Sequence, residues 1–214
     1  MKKVAPFKNA LTFFTILFLV WGLYRLLFKL PDEVEEIIIK PLVWVVPVIF
    51  LVRRERATLE SIGLTLKNLF PAIYMSLALG SVFVVEAVIL NFLKYHQLNF
   101  GANLGNQTLM ASLATSFATA FSEELVFRGY IFTRLWQSLN NEWTANLITS
   151  ILWTLIHVPI TILVNKLAPV DAVVYLFLTF VFGMGSAFIY GRTRNIGSSI
   201  FLHVLWEWPI MLFR

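Results

Sequence analysis

Residues 122–129 read Ser-Glu-Glu-Leu-Val-Phe-Arg-Gly and interrupt an apolar run that begins near Thr108. Two carboxylates and an arginine inside a hydrophobic helix are costly to place in lipid, so an ionisable residue at that depth is read first as a functional group. At about 100° per residue, Glu124 and Arg128 are i,i+4 neighbours with the acid on the N-terminal side, the favourable order for an ion pair. Glu123 points about 140° away from Arg128. Its own helix offers it no counter-charge, and it must find a partner elsewhere. Ser112, Thr115, Ser116 and Thr119 fall within roughly 80° of Glu123 on a helical wheel, while Phe117, Phe121 and Leu125 point elsewhere. Such a track of small, hydroxylated residues leading to a carboxylate fits the wall of a hydrated cavity. The competing reading is a helix-packing face, because Ser, Thr and Ala also enrich helix contacts in membranes.

Two further helices carry ionisable groups. His157 ends a polar stripe of Asn146, Ser150, Thr154 and Thr161, and Pro159 loosens the backbone beside it by removing a donor. A lone histidine in an apolar helix is commonly a satisfied core residue. Sharing a bundle with an unpaired Glu123 favours the functional reading. In the last apolar segment Ser199, His203 and Glu207 recur every four residues on one face. The plain alternative there is a local His–Glu pair that neutralises itself. With only 3 histidines in the chain, and no other evident balance for these charges than one another, water or a metal, one shared cavity is the economical arrangement. His96, in a polar loop, reads as a solvated surface residue. Glu86, mid-span, reads equally as a cavity residue or a protonated acid against a neighbour, and is left outside the site.

The elements that must position these groups are membrane helices. The chain has 214 residues, 58% hydrophobic and 14% charged, with a mean hydropathy of +0.77. Each span requires about 20 apolar residues. The expected fold is therefore all-α: a polytopic transmembrane bundle with an intramembrane polar cavity. Seven spans are read near 10–28, 36–52, 71–93, 108–127, 143–164, 171–190 and 197–213, and an eighth, re-entrant or interfacial helix around 129–140 is allowed. The first apolar run has basic residues before it but no small-residue cleavage pattern, so it reads as an uncleaved span. Pro41 and Pro47 should kink the second. With the N-terminus cytoplasmic, Lys2, Lys3, Lys8, Arg53, Arg54, Arg56, Lys67, Arg128, Arg134, Arg192 and Arg194 lie inside; Arg25, Lys29, Lys40, Lys94, Lys166 and Arg214 lie outside. This positive-inside bias accounts for the net charge of +5 without a nucleic-acid partner. Zero cysteines excludes disulfides, Fe–S clusters and thiolate metal sites. Gly183, Ala187 and Gly191 form a small-residue ridge for close helix approach. Nothing marks a second domain, so residues 1–214 form one membrane unit, with residues 1–93 free of motifs.

Glu-Glu-x-x-x-Arg at 123–128, Trp153-x-x-x-His157 and His203-x-x-x-Glu207 resemble the three motifs of the CPBP (CAAX protease and bacteriocin-processing, Abi) family of intramembrane proteases. That group includes the type II CAAX prenyl endopeptidases. The run Gly191-Arg-Thr-Arg-Asn-Ile-Gly-Ser-Ser-Ile-Phe-Leu-His203 is similar to the family's linker into its last motif, and the resemblance covers about residues 107–208. It implies that Glu123 is a base, His157 its partner in activating water, His203 an oxyanion donor, and Glu124 with Arg128 a supporting pair. Trp153 stands where Phe is usual. Glu207 stands where Asn is usual, and an ionised Glu cannot donate to an oxyanion. It would serve if protonated, by keeping His203 cationic, or by binding a metal.

Peptide hydrolysis by water needs a base near the carbonyl, polarisation of its oxygen and a proton for the leaving amine. A carboxylate in an apolar cavity is a better base than one in water. The expected activity is thus an intramembrane endopeptidase without a cofactor. The alternative is zinc held by Glu123, His157 and His203, although the helix motif His-Glu-x-x-His is absent. A rival class is a non-proteolytic membrane immunity or regulatory protein that keeps the cavity. A proton-coupled transporter would require inverted repeats or paired broken helices, and the sequence shows neither. The expected partners are membrane lipids and a peptide or protein substrate, lipidated or a small secreted peptide. The expected location is the cell membrane.

Overall fold

The computed structural model describes residues 6–101, 104–105 and 108–213. Lys2, Lys3, Arg214 and part of the polar 94–107 loop lie outside them. The described residues form seven continuous helical segments and no strand: α1 Pro6–Leu27, α2 at 32–54, α3 Leu69–Tyr95, α4 at 109–139, α5 Glu142–Val164, α6 Pro169–Thr193 and α7 Ile196–Phe213. A 3₁₀ turn, Leu59–Ile62, bridges α2 and α3. Five helices, α1, α3, α5, α6 and α7, are long and apolar enough to cross a membrane. The second and fourth segments, which bring Lys40, Glu123, Glu124 and Arg128, are not among them. Outward faces such as Leu19 and Leu23 of α1, Val82 and Val85 of α3, and Val173 and Phe177 of α6 are exposed hydrophobics. Apolar surface on that scale belongs against lipid.

The helix expected separately around 129–140 is instead the continuation of α4, and residues 122–135 are buried without interruption. The helix passes through a π-helical stretch at Leu125–Phe132 before resuming α geometry at Thr133. π turns concentrate at functional sites. Gly129 permits this path, since a Cβ there would lie 2.8 Å from the Ile62 carbonyl oxygen on the 3₁₀ turn. α2 is not broken at Pro41 or Pro47. It switches to π geometry at Glu35–Ile39 and Pro41–Val45, which accommodates a proline that cannot donate to the preceding turn. Similarly, α5 turns π-helical at Ile160–Val164, directly after Pro159.

α4 runs through the middle of the bundle. α3 lies along α7, α5 along α6, and α7 also packs on α4. α1 touches the second half of α4 and the C-terminal end of α5, while the π turns of α2 lie against α4. The ridge on α6 faces α5: a Cβ on Gly183 would come within 3.2 Å of Ser150 and Trp153. Asn146 donates to the Met184 carbonyl (3.1 Å), and Ser150 donates to Asn146 (3.0 Å). Asn146 of the polar stripe thus joins α5 to α6, while Thr154 and Thr161 donate to carbonyls of their own helix.

The junction between α6 and α7 is pinned by Asn195, whose amide donates to the carbonyls of Thr65 (2.7 Å) and Lys67 (2.8 Å) and whose oxygen accepts from the Gly197 amide (2.8 Å). Replacing Asn195 with Ala strands these groups. It should cost about 2–3 kcal/mol of stability, by the penalty for buried unsatisfied groups, and lower the unfolding temperature of the detergent-solubilised protein.

Candidate active site

The first motif divides as its spacing predicts. Glu124 and Arg128, both fully buried, pair at 3.1 Å. Glu124 Oε1 also accepts from His203 Nδ1 (2.8 Å), and Oε2 accepts from Ser186 Oγ (2.7 Å). The guanidinium donates to the Gly183 carbonyl (3.3 Å) and lies over the rings of Trp153 (4.6 Å) and Phe182 (5.6 Å). One carboxylate thus ties α4, α6 and α7 together. His203 uses this acid, not Glu207, so the local His–Glu pair does not form. Glu207 Oε2 is buried with no hydrogen-bond partner among the described residues.

Glu123 turns the other way, into a cavity of about 70 Å³ that it lines with Glu36, Lys40, Trp21, Trp44 and His157, among others. Its counter-charge is Lys40 of α2, with Nζ 2.6 Å from Glu123 Oε1. Lys40 also pairs with Glu36, which accepts from Thr119 Oγ1 (2.7 Å). Sequence reasoning missed this partner by counting Lys40 among the outside loop charges. The available signal was Glu36 and Lys40 at i,i+4 on one helix. Arg128 and Arg134, counted as cytoplasmic, are likewise buried, Arg134 against Glu55 at 2.8 Å.

The hydroxyl track does not lead into this cavity. Ser112 accepts from Trp208 Nε1 (3.0 Å) and Ser116 donates to Met211 Sδ (3.8 Å), so both pack on α7. Only Thr119 reaches the charged cluster. The helix-packing reading holds for Ser112 and Ser116, and Thr115 donates to the Ala111 carbonyl of its own helix.

His157 lines the cavity beside Glu123. Its Nδ1 lies 2.7 Å from the Trp153 carbonyl oxygen. A carbonyl only accepts, so Nδ1 carries hydrogen and Nε2 is the nitrogen left for other chemistry. Trp153 is the shared wall between the two imidazoles, its ring 4.6 Å from that of His157 and 5.6 Å from that of His203. The structure therefore brings Glu123 and His157 to one cavity wall, while His203, which does not line it, is held beside Trp153 by Glu124. As a zinc set, Glu123, His157 and His203 do not fit: no three His, Asp or Glu side chains among the described residues are grouped to hold an ion. Lys40 already occupies Glu123, and Glu124 occupies His203.

Residues 105–209, which hold all three motifs, match the family model described as Rce1-like, type II CAAX prenyl endopeptidase Rce1-like. Through this segment, just under half of its length, the chain is similar to the Rce1-like family. This is a protease family, and here the similar segment lies in a helical bundle with five helices of membrane-spanning length and apolarity among the described residues. No curated protein and no solved structure matches the chain. Lys40, Glu36 and Trp44 all lie outside the matched segment.

Proposed function

We propose that this Rce1-like chain is an intramembrane endopeptidase in which Glu123 and His157 activate a water molecule. The observation that carries the reading is the shared cavity: a buried carboxylate and an imidazole with an available Nε2 line the same small space. A water there gives one proton to this pair as its oxygen bonds to the scissile carbonyl carbon. The carbonyl oxygen takes the negative charge. The C–N bond then breaks as the proton passes to the leaving amine, giving a carboxylic acid and a free amine, and the acid's remaining proton is lost to the amine or to solvent. His203, oriented through Nδ1 by Glu124, would serve the oxyanion through a hydrogen on Nε2.

The substrate proposed is a membrane-associated peptide tail, of the CAAX-processing or bacteriocin-related type. An apolar groove of about 570 Å³ between α1 and α2, lined by Phe13, Leu17, Val20, Val43, Pro47 and Phe50, among others, suits a lipid-bearing tail. Val20 and Val43 adjoin Trp21 and Trp44, which line the cavity. We propose the cell membrane as its location, with the N-terminus cytoplasmic. The test is cleavage of a membrane-anchored peptide library, including farnesylated CAAX tails, by reconstituted wild type beside Glu123→Gln. Cleavage by both proteins or by neither counts against the reading.

Glu207 favours a second reading, a non-proteolytic immunity or regulatory protein, because an ionised acid near the oxyanion opposes its charge. The two readings differ in one variant. If the chain is a protease limited at this position, Glu207→Asn restores a donor and should raise kcat about 10-fold or more, given what one oxyanion donor contributes. A protein without protease activity shows no cleavage with either residue.

A further inference from the structure

We propose that Lys40, on α2 and outside the family-matched segment, is a positioning residue that keeps Glu123 an ionised carboxylate aimed into the cavity. The inference rests on the reading of Glu123 as the base. It assigns to the N-terminal part of the chain a working part of the site. Lys40 is 4% exposed, and its ammonium ends at the cavity wall beside Glu123 and not at the protein surface. It is held between Glu123 and Glu36, with the rings of Trp21 and Trp44 each 5.6 Å away. Two carboxylates and two aromatic faces satisfy the cation from separate directions.

The consequence for Glu123 follows from desolvation. An acid buried without a counter-charge takes up a proton rather than remain an uncompensated anion. A protonated Glu123 cannot accept a proton from water. Pairing weakens the carboxylate as a base, but a weaker base in the correct charge state outperforms one that is already protonated. The groups around Glu123 are Lys40 and Glu36 from α2, Arg25 from α1, Arg128 from α4 itself, His157 from α5, Tyr175 from α6, and His203 and Glu207 from α7. Arg25 is paired with Glu35, and His203 with Glu124. Lys40 makes the one hydrogen bond to the Glu123 side chain among the described residues.

The test reads the charge of Glu123 directly and needs no substrate. Infrared spectra of reconstituted protein at neutral pH are compared for wild type, Lys40→Met, Lys40→Arg, and Lys40→Met with Glu123→Gln. The expected result is a protonated-carboxyl band in Lys40→Met that is absent from wild type and Lys40→Arg and disappears when Glu123 is also replaced. In cleavage of a farnesylated CAAX-tail peptide, Lys40→Met should lose about 100-fold at neutral pH, on the scale of general-base catalysis, and recover as pH rises. A lysine serving structure alone gives a loss independent of pH and no new band. If Lys40→Met fails to fold, Lys40→Met with Glu36→Gln removes one charge of each sign and is read in the same way. An ionised Glu123 in the Lys40→Met protein, or a protonated one in wild type, overturns the proposal. Failure of the base reading looks different: Glu123→Gln then cleaves like wild type while the infrared result stands.

Discussion

Glu123→Gln should lower kcat for a farnesylated CAAX-tail peptide by about 10²–10⁴-fold, the contribution of a general base, with KM nearly unchanged. Glutamine keeps the volume and one acceptor oxygen, so Lys40 retains an acceptor there as well as its pair with Glu36. The folded protein should therefore accumulate normally. What the substitution removes is the capacity to take a proton from water. That capacity matters in the transition state, so the loss falls on kcat and not on binding. Proteoliposomes holding equal amounts of folded wild type and variant provide the measurement. A loss confined to KM would place Glu123 in substrate binding instead.

The largest effect on stability should come from Arg128→Met. The guanidinium is fully buried and contacts Glu124, the Gly183 carbonyl and the faces of Trp153 and Phe182. Removing it leaves Glu124 with only His203 and Ser186 to offset a buried charge. Breaking one side of such a pair costs about 3–5 kcal/mol. A drop of that size should appear as a strongly lowered unfolding temperature in detergent and as reduced accumulation. Pairing the change with Glu124→Gln should restore much of the stability, because no uncompensated anion then remains. Activity should not return with it, since His203 would lose the charged acceptor that orients its ring.

These residues differ in how readily the sequence discloses them. The Glu124–Arg128 pair is legible because i,i+4 geometry is local and survives any packing. His157 and His203 are legible because an imidazole in an oily helix is expensive and stands out. Lys40 is not, because its partner Glu123 lies 83 positions away in the chain. A lysine before a proline at a span border also resembles one that extends to the interface. The hydroxyl track misleads for a different reason: small polar residues serve close helix packing and wet walls equally well. Which of these applies depends on whether the facing helix is α7 or open space. The seven helices follow from hydropathy and the irregularity around Pro41 from its proline, whereas the π turn at Leu125–Phe132 has no proline or other local pattern to announce it.

The central claim is that Glu123 and His157 act on one water. It is tested most directly by a double-mutant cycle on kcat using Glu123→Gln, His157→Ala and the combined variant. Groups that work as a unit are strongly non-additive. The account predicts that the combined variant is no slower than the worse of the two single variants. Losses that multiply would mean that the two side chains serve separate steps, and would contradict it.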